Sequence, residues 1–98
     1  RGGEKIYCLE VENVIMNCPK VLEVAVVGVP DRVLGEQVKA CVALKPGESA
    51  DEEEIKDYCI AALADYKVPK FVEFVESLPR NPGGKVIKAD LRYVPEKK

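Results

Sequence analysis

The chain has 98 residues, a length that fits one small domain and excludes two full catalytic domains. Its 15 basic and 17 acidic residues nearly cancel and 47% of the residues are hydrophobic, which disfavours both a disordered chain and a general nucleic-acid-binding surface. No apolar run approaches the roughly 18 residues that a membrane span needs, so we expect no transmembrane segment. The start at Arg1-Gly2-Gly3 predicts a piece of a longer protein.

The cysteines and the missing histidines limit the possible chemistry. No C-x-x-C pair and no histidine is present, so we expect no metal site and no Ser-His or Cys-His nucleophile. An even number of cysteines also allows disulfides. We favour free thiols packed as small apolar side chains in a reducing cytoplasm. The cysteines are Cys8, Cys18, Cys41 and Cys59.

The first half of the chain alternates helix and strand signals. Apolar residues at helical spacing predict a helix over Leu9–Cys18, which Pro19 ends. The β-branched run over Val21–Val29 predicts a central strand buried on both faces. Residues 37–44 alternate in the period-2 pattern of a second strand.

A helix and a third strand follow. The segment from Ser49 to Glu52 matches a capping box, with Ser49 as the cap of a helix that ends before Val68-Pro69. Residues 70–75 have strand composition, residues 78–84 form a loop rich in Pro and Gly, and residues 88–93 predict a short helix or turn. The fold class is therefore α+β, a small three-stranded sheet with helices packed against it, forming a single domain over residues 1–98.

Charge is distributed unevenly along the chain. Residues 1–65 hold 7 basic and 13 acidic side chains, a net charge of −6, whereas residues 66–98 hold 8 basic and 4 acidic side chains, a net charge of +4. The positive segment is either an attractor of anions or a solvated basic tail.

The positive segment contains the loop Asn81-Pro82-Gly83-Gly84-Lys85. Its glycines leave backbone amides accessible and its lysine offers a mobile positive charge, two features of anion-binding loops. It is not a nucleotide P-loop, because Val86 follows the lysine where that motif has Ser or Thr. By itself the loop is either a hairpin turn or an anion site.

Four segments in order resemble motifs of the acyl-CoA synthetases of the adenylate-forming superfamily. Residues 2–12 resemble G-G-E-N-I-Y-P-x-E-(V/I)-E, and residues 27–36 resemble G-V-P-D-x-x-x-G-E. Residues 66–70 are similar to (F/Y)-K-(V/I)-P-K, and residues 78–85 to L-P-R-x-x-x-G-K. Lys5 and Cys8 depart from the Asn and Pro of the first motif, so the entry to the first helix is expected to differ.

The resemblance implies the mobile C-terminal lid of a two-domain ligase. Its partner would be the N-terminal adenylation domain of the same chain, which binds ATP, Mg and a small carboxylic acid. The resemblance implies a fatty acid as that acid and a hinge that precedes Arg1. Lys85 would be the catalytic lysine of acyl-adenylate formation. Gly83 and Gly84 would lie against the nucleotide, and Gly2 and Gly3 would line the channel for coenzyme A.

Elementary chemistry is compatible with these implied roles. Joining a carboxylate to a triphosphate builds negative charge in the transition state, which one desolvated ammonium stabilises selectively. A chain of 98 residues provides neither an ATP pocket nor an acid pocket, so we expect the isolated piece to be inactive. The alternatives are a free-standing module that binds an acidic or phosphorylated partner through the basic segment, and a purely structural domain.

Overall fold

The computed structural model describes residues 2–31, 35–63 and 67–93. Two α-helices, three strands and one short 3₁₀ helix follow one another along these residues. They are α1 (Gly2–Met16), β1 (Val21–Asp31), β2 (Gly35–Leu44), α2 (Glu52–Ala62), β3 (Phe71–Phe74) and the 3₁₀ helix Lys88–Leu91. Within the described part of the chain, no helix is long and apolar enough to cross a membrane.

The three strands form one sheet in the order β1-β2-β3, with β1 antiparallel to β2 and β2 parallel to β3. Ala40 of β2 faces Val26 of β1 on one side and Val72 of β3 on the other. The prediction of an α+β fold with a three-stranded sheet and helices packed against it is confirmed.

β2 is the central strand, so the prediction that residues 21–29 form the central strand is wrong. β1 is apolar because both of its faces are buried. The apolar composition of a strand indicates that its faces are buried and does not indicate how many strands pair with it. Its outer edge is occupied by side chains. The backbone N–H of Val26 donates to Glu12 Oε2 at 2.8 Å, and Arg92 Nε donates to the Gly28 carbonyl oxygen at 2.8 Å.

The sheet separates two buried clusters. The inner cluster lies between the sheet and the two α-helices and includes Val11, Ile15, Val26, Ile55 and Cys59. The outer cluster lies on the opposite face. There, residues 78–93, which we call the C-terminal segment, cover Ala25, Val27, Val29 and Cys41 with Leu78 and Leu91. The C-terminal segment is therefore a third layer of the fold.

The helix boundaries differ from the predicted ones. α1 begins at Gly2 and ends at Met16, so it starts seven residues before the predicted Leu9 and does not include Cys18. The cap of α2 is Asp51 rather than Ser49, and its Oδ1 accepts a hydrogen bond from the Glu54 N–H at 2.8 Å. Both residue types are good caps, and the charged carboxylate at Asp51 gives the stronger bond to a helix amide.

All four cysteines are buried thiols that form no disulfide, as predicted for thiols packed as small apolar side chains. Cys59 lies in the inner cluster and Cys41 in the outer one. Burial raises the pKa of the Cys59 thiol to about 11 and raises that of Cys41 as well. Both thiols are therefore protonated at neutral pH.

Candidate functional site

The predicted catalytic lysine lies on a tight turn, which we call the Lys85 turn and define as residues 80–86. Arg80 and Val86 close the turn as an antiparallel bridge. Just outside it, the Ile87 N–H donates to the Pro79 carbonyl oxygen at 2.8 Å. Leu78 is buried on one side of the turn and Leu91 on the other, so both chain segments that carry the turn are fixed to the outer face of the sheet.

Asn81 organises the inside of the turn. Its backbone N–H donates to the Lys85 carbonyl oxygen at 2.9 Å, and its carbonyl oxygen accepts from the Gly84 N–H at 2.9 Å. Its side-chain Oδ1 accepts from the Lys85 N–H at 3.0 Å. The N–H groups of Gly84 and Lys85 are therefore bonded within the turn, and the Lys85 side chain is among the groups that the turn exposes to solvent.

The Lys85 side chain is exposed. Within residues 2–31, 35–63 and 67–93, no ion pair or hydrogen bond holds its ammonium. A lysine side chain in this state has the full reach of its four methylenes. The ammonium is therefore accessible to an anionic ligand.

A second lysine, which no sequence pattern singled out, has the opposite environment. Lys39 of β2 is completely buried, and its Nζ lies 2.8 Å from Glu73 Oε1 of β3. It also donates to the carbonyl oxygens of Leu91 and Tyr93, each at 3.0 Å, and lies 3.4 Å from the centre of the Tyr93 ring. We call these residues the Lys39 cluster. The cluster ties the C-terminal segment to the central strand.

The Lys39 cluster shifts the pKa values of its acids. Burial alone would raise the pKa of Glu73, but hydrogen bonds from Lys39 and Tyr93 and the charge of Lys39 outweigh it and lower the pKa. The Tyr93 hydroxyl donates to Glu73 Oε2 at 2.9 Å. This bond, burial and the negative charge of Glu73 raise the pKa of Tyr93 to about 12. Glu73 is therefore ionised and Tyr93 neutral at pH 7.

The basic part of the chain, described from Lys67 to Tyr93, is folded against the acidic first half. Lys67 pairs with Glu10 at 2.8 Å, Lys88 pairs with Glu12 at 2.8 Å, and Arg80 pairs with Glu23. These pairs neutralise part of the charge separation seen in the sequence. They leave Lys85 as an outward-facing cation of this segment that pairs with no acid in the described residues.

The structure brings some of the predicted site residues together. Gly83, Gly84 and Lys85 share the Lys85 turn, and Gly84 has a φ of +88° that favours glycine. Gly2 and Gly3 lie in the first turn of α1. Their predicted roles with nucleotide and coenzyme A stay predictions. Arg1, Tyr66 of the third motif, and residues 32–34 of the second lie outside the described residues.

No metal site emerges from the geometry: within residues 2–31, 35–63 and 67–93, no group of three or more Cys, Asp or Glu side chains is placed to hold an ion. The acidic residues near the N-terminus of α2 are used otherwise. Glu52 pairs with Lys56 at 3.0 Å, and Glu54 pairs with Lys20 at 3.0 Å.

Known proteins resemble this chain over most of its length. Crotonobetaine/carnitine–CoA ligase of Proteus mirabilis is 49% identical over 92 residues, which are 94% of this chain and 18% of that protein. The mitochondrial medium-chain acyl-CoA ligase of Danio rerio is 47% identical over 97 residues, which are 99% of this chain and 16% of that protein. The chain thus spans less than a fifth of the length of these relatives.

Solved structures also match most of this chain, which corresponds to less than a fifth of each. The fatty acyl CoA synthetase of Mycobacterium tuberculosis superposes with a TM-score of 0.77 at 48% identity, covering 85% of this chain and 16% of that one. MatB of Rhodopseudomonas palustris superposes with a TM-score of 0.84 at 44% identity, covering 88% of this chain and 17% of that one. Residues 10–85 match the AMP-binding enzyme C-terminal domain, and the chain belongs to this family.

Proposed function

We propose that residues 1–98 are a single domain that serves as the C-terminal lid of an acyl-CoA ligase. The ligase would use ATP to convert a carboxylic acid, of the fatty acid class, into an acyl-adenylate and would then transfer the acyl group to coenzyme A. The observation that carries the proposal is the exposed Lys85 ammonium on a hydrogen-bonded turn, in a chain of the AMP-binding enzyme C-terminal domain family.

Relatives of this chain support the choice of reaction. The two similar curated proteins carry CoA ligase in their names, and the similar M. tuberculosis structure is a fatty acyl CoA synthetase. Because this chain corresponds to less than a fifth of each, the sites for ATP and the acid would lie in an N-terminal adenylation domain of the same polypeptide. That domain is also where we place Mg.

Lys85 fits the adenylation step on chemical grounds. ATP supplies the adenylyl group and a pyrophosphate leaving group, and negative charge accumulates at the reacting phosphorus. An ammonium brought there from the lid stabilises that charge in the transition state more than in the ground state, which raises kcat rather than binding affinity. The reactants would be bound by the adenylation domain, so the cation has to extend to them from the lid. The exposed Lys85 side chain is long enough to do so.

The four glycines of the predicted site would provide space for the reactants, whereas Lys85 would provide charge. We propose that Gly83 and Gly84 leave space beside Lys85 for the nucleotide, since no Cβ stands between the turn and a bound phosphate. We propose further that Gly2 and Gly3 let the pantetheine arm of coenzyme A pass close to the start of α1. The buried thiols form no disulfide and are compatible with a reducing compartment, for which we propose the cytoplasm.

The test separates the two half-reactions in the full ligase. Lys85→Ala should slow acyl-adenylate formation, measured as ATP–pyrophosphate exchange with a panel of carboxylic acids, by about 100-fold or more. Thioester formation from supplied acyl-adenylate should proceed at the unaltered rate, because Lys85 acts on the phosphate chemistry alone.

Lys45→Ala is the matched control, because Lys45 is also an exposed lysine beside a proline-glycine turn. It should leave both half-reactions unchanged. Equal loss of both half-reactions in Lys85→Ala would contradict the proposal. Unchanged activity would favour a structural domain, and an open reading frame that begins next to Arg1 would favour the free-standing module.

A further inference from the structure

Arg80 connects the Lys85 turn to the sheet. Its guanidinium Nη1 donates to the Gly84 carbonyl oxygen at 2.8 Å, and its Nη2 pairs with the Glu23 carboxylate. Glu23 lies in β1, whose hydrogen-bonded ladder with β2 is the longest in the sheet. A planar guanidinium with several fixed donors can hold two acceptors at once, which a lysine ammonium does with much less directional control.

The Gly84 carbonyl oxygen belongs to the peptide group that leads into Lys85. The N–H of the same peptide group donates to Asn81 Oδ1 at 3.0 Å. Both polar atoms of the Gly84–Lys85 peptide are therefore bonded to side chains, one of which is anchored to the sheet by Glu23. Because a peptide group is planar, fixing its oxygen and its N–H fixes the position from which the Lys85 side chain starts.

We propose that Arg80 and Glu23 are positioning residues for the adenylation step, acting only through Lys85. This inference rests on the proposed function. The Arg80 guanidinium itself touches no reactant. It limits the directions that the Lys85 side chain samples, so the ammonium reaches the reacting phosphate with a smaller loss of conformational entropy.

The inference predicts unequal effects at the two positions. Arg80→Ala frees the Gly84 carbonyl oxygen and should lower kcat for adenylation roughly tenfold, since small displacements of an oriented group cost one to two orders of magnitude. KM for ATP and for the acid should stay unchanged. Glu23→Ala leaves the bond from Arg80 to Gly84 in place, so it should lower kcat less, and it should add nothing in the Arg80→Ala background.

Two further variants of the full ligase separate positioning from charge. Arg80→Lys keeps the positive charge but not the two-acceptor geometry, so its kcat for adenylation should fall nearly as far as in Arg80→Ala. In a Lys85→Ala background, Arg80→Ala should have no additional effect on adenylation. Thioester formation from supplied acyl-adenylate should be unchanged in every variant.

Lys20→Ala is the matched control. Lys20 also joins a carbonyl oxygen, that of Ser49 at 3.0 Å, to a carboxylate, that of Glu54 at 3.0 Å, but these groups lie at the approach to α2. Its loss should leave both half-reactions intact, and thermal unfolding of each variant would show that it is folded.

Three results would overturn the inference while Lys85→Ala still slows adenylation about 100-fold or more. They are equal loss of both half-reactions in Arg80→Ala, an unaltered adenylation rate in Arg80→Lys, and a further loss when Arg80→Ala is added to Lys85→Ala. If Lys85→Ala itself leaves adenylation intact, the proposed function fails instead.

Discussion

Two glycines adopt a positive φ in the described part of the chain, +82° at Gly47 and +88° at Gly84. A Cβ added at either position would meet no atom within 4 Å, so the cost of an alanine there is conformational alone. That cost is about 1–2 kcal/mol for an L-residue in the left-handed region. The two positions are therefore equivalent for stability, although only one of them adjoins Lys85.

This equivalence allows stability and function to be separated. Gly84→Ala and Gly47→Ala should each lower the free energy of unfolding by about 1–2 kcal/mol, measured by urea denaturation of this chain. In the full ligase only Gly84→Ala should slow ATP–pyrophosphate exchange, because it distorts the peptide that leads into Lys85.

Asparagine provides the control at the same site, since it tolerates the left-handed region better than alanine. Gly84→Asn should recover part of the stability and part of the exchange rate. Equal slowing of exchange by Gly47→Ala and Gly84→Ala would mean that the effect is general loosening of the fold.

At the scale of elements, sequence pattern located the helices and strands but not their relations. Period-2 alternation identified β2, whereas the position of β1 at the edge depends on Glu12 and Arg92, which occupy its free backbone groups from other elements. Likewise the turn that carries Lys85 could be predicted, because its proline and glycines are adjacent in the sequence. Lys39 could not, because its partners Glu73 and Tyr93 are far along the chain.

The Lys39 cluster predicts a specific acid sensitivity of the contact between β2, β3 and the C-terminal segment. The folded-state pKa of Glu73 is lowered, so its contribution to stability is full above the unfolded-state value of about 4.3. That contribution disappears as the pH falls through the lowered folded-state pKa. The urea midpoint of this chain should therefore fall more steeply below about pH 4.3 than that of Glu73→Gln.

Tyr93 depends on pH in the opposite direction, because its contribution to stability is lost as the pH rises. The pKa of Tyr93 is raised to about 12, so its contribution is full below the unfolded-state value of about 10 and is lost as the pH rises through about 12. In an alkaline titration followed by tyrosinate absorbance, Tyr93→Phe should lack one group that ionises near pH 12 in the native chain.

On the acid side, parallel profiles of the urea midpoint against pH for the native chain and Glu73→Gln would contradict the assigned network.

At the scale of the whole molecule, the sheet is covered by helices on one face and by the C-terminal segment on the other. The helical layer buries an extended apolar cluster around Ile15 and Ile55. The C-terminal layer contributes the two buried leucines Leu78 and Leu91 and is held in addition by the Lys39 cluster. Fewer buried apolar side chains make the C-terminal layer the one expected to open first.

The cysteines report on the two layers separately, because Cys59 of α2 lies in the inner cluster and Cys41 of β2 lies in the outer one. Lys39→Met removes the donor to the Leu91 and Tyr93 carbonyl oxygens and should speed alkylation of Cys41 about tenfold or more. The loss of one buried charged hydrogen bond lowers the free energy of opening by about 1.4 kcal/mol, and the open state is then about ten times more populated. Alkylation of Cys59 should be unchanged. Peptide mass spectrometry after timed iodoacetamide pulses measures both rates, and Lys56→Ala, which removes an ion pair on α2, is the control that should accelerate neither. Equal acceleration of Cys41 and Cys59 in Lys39→Met would show instead that the two layers open as one cooperative unit.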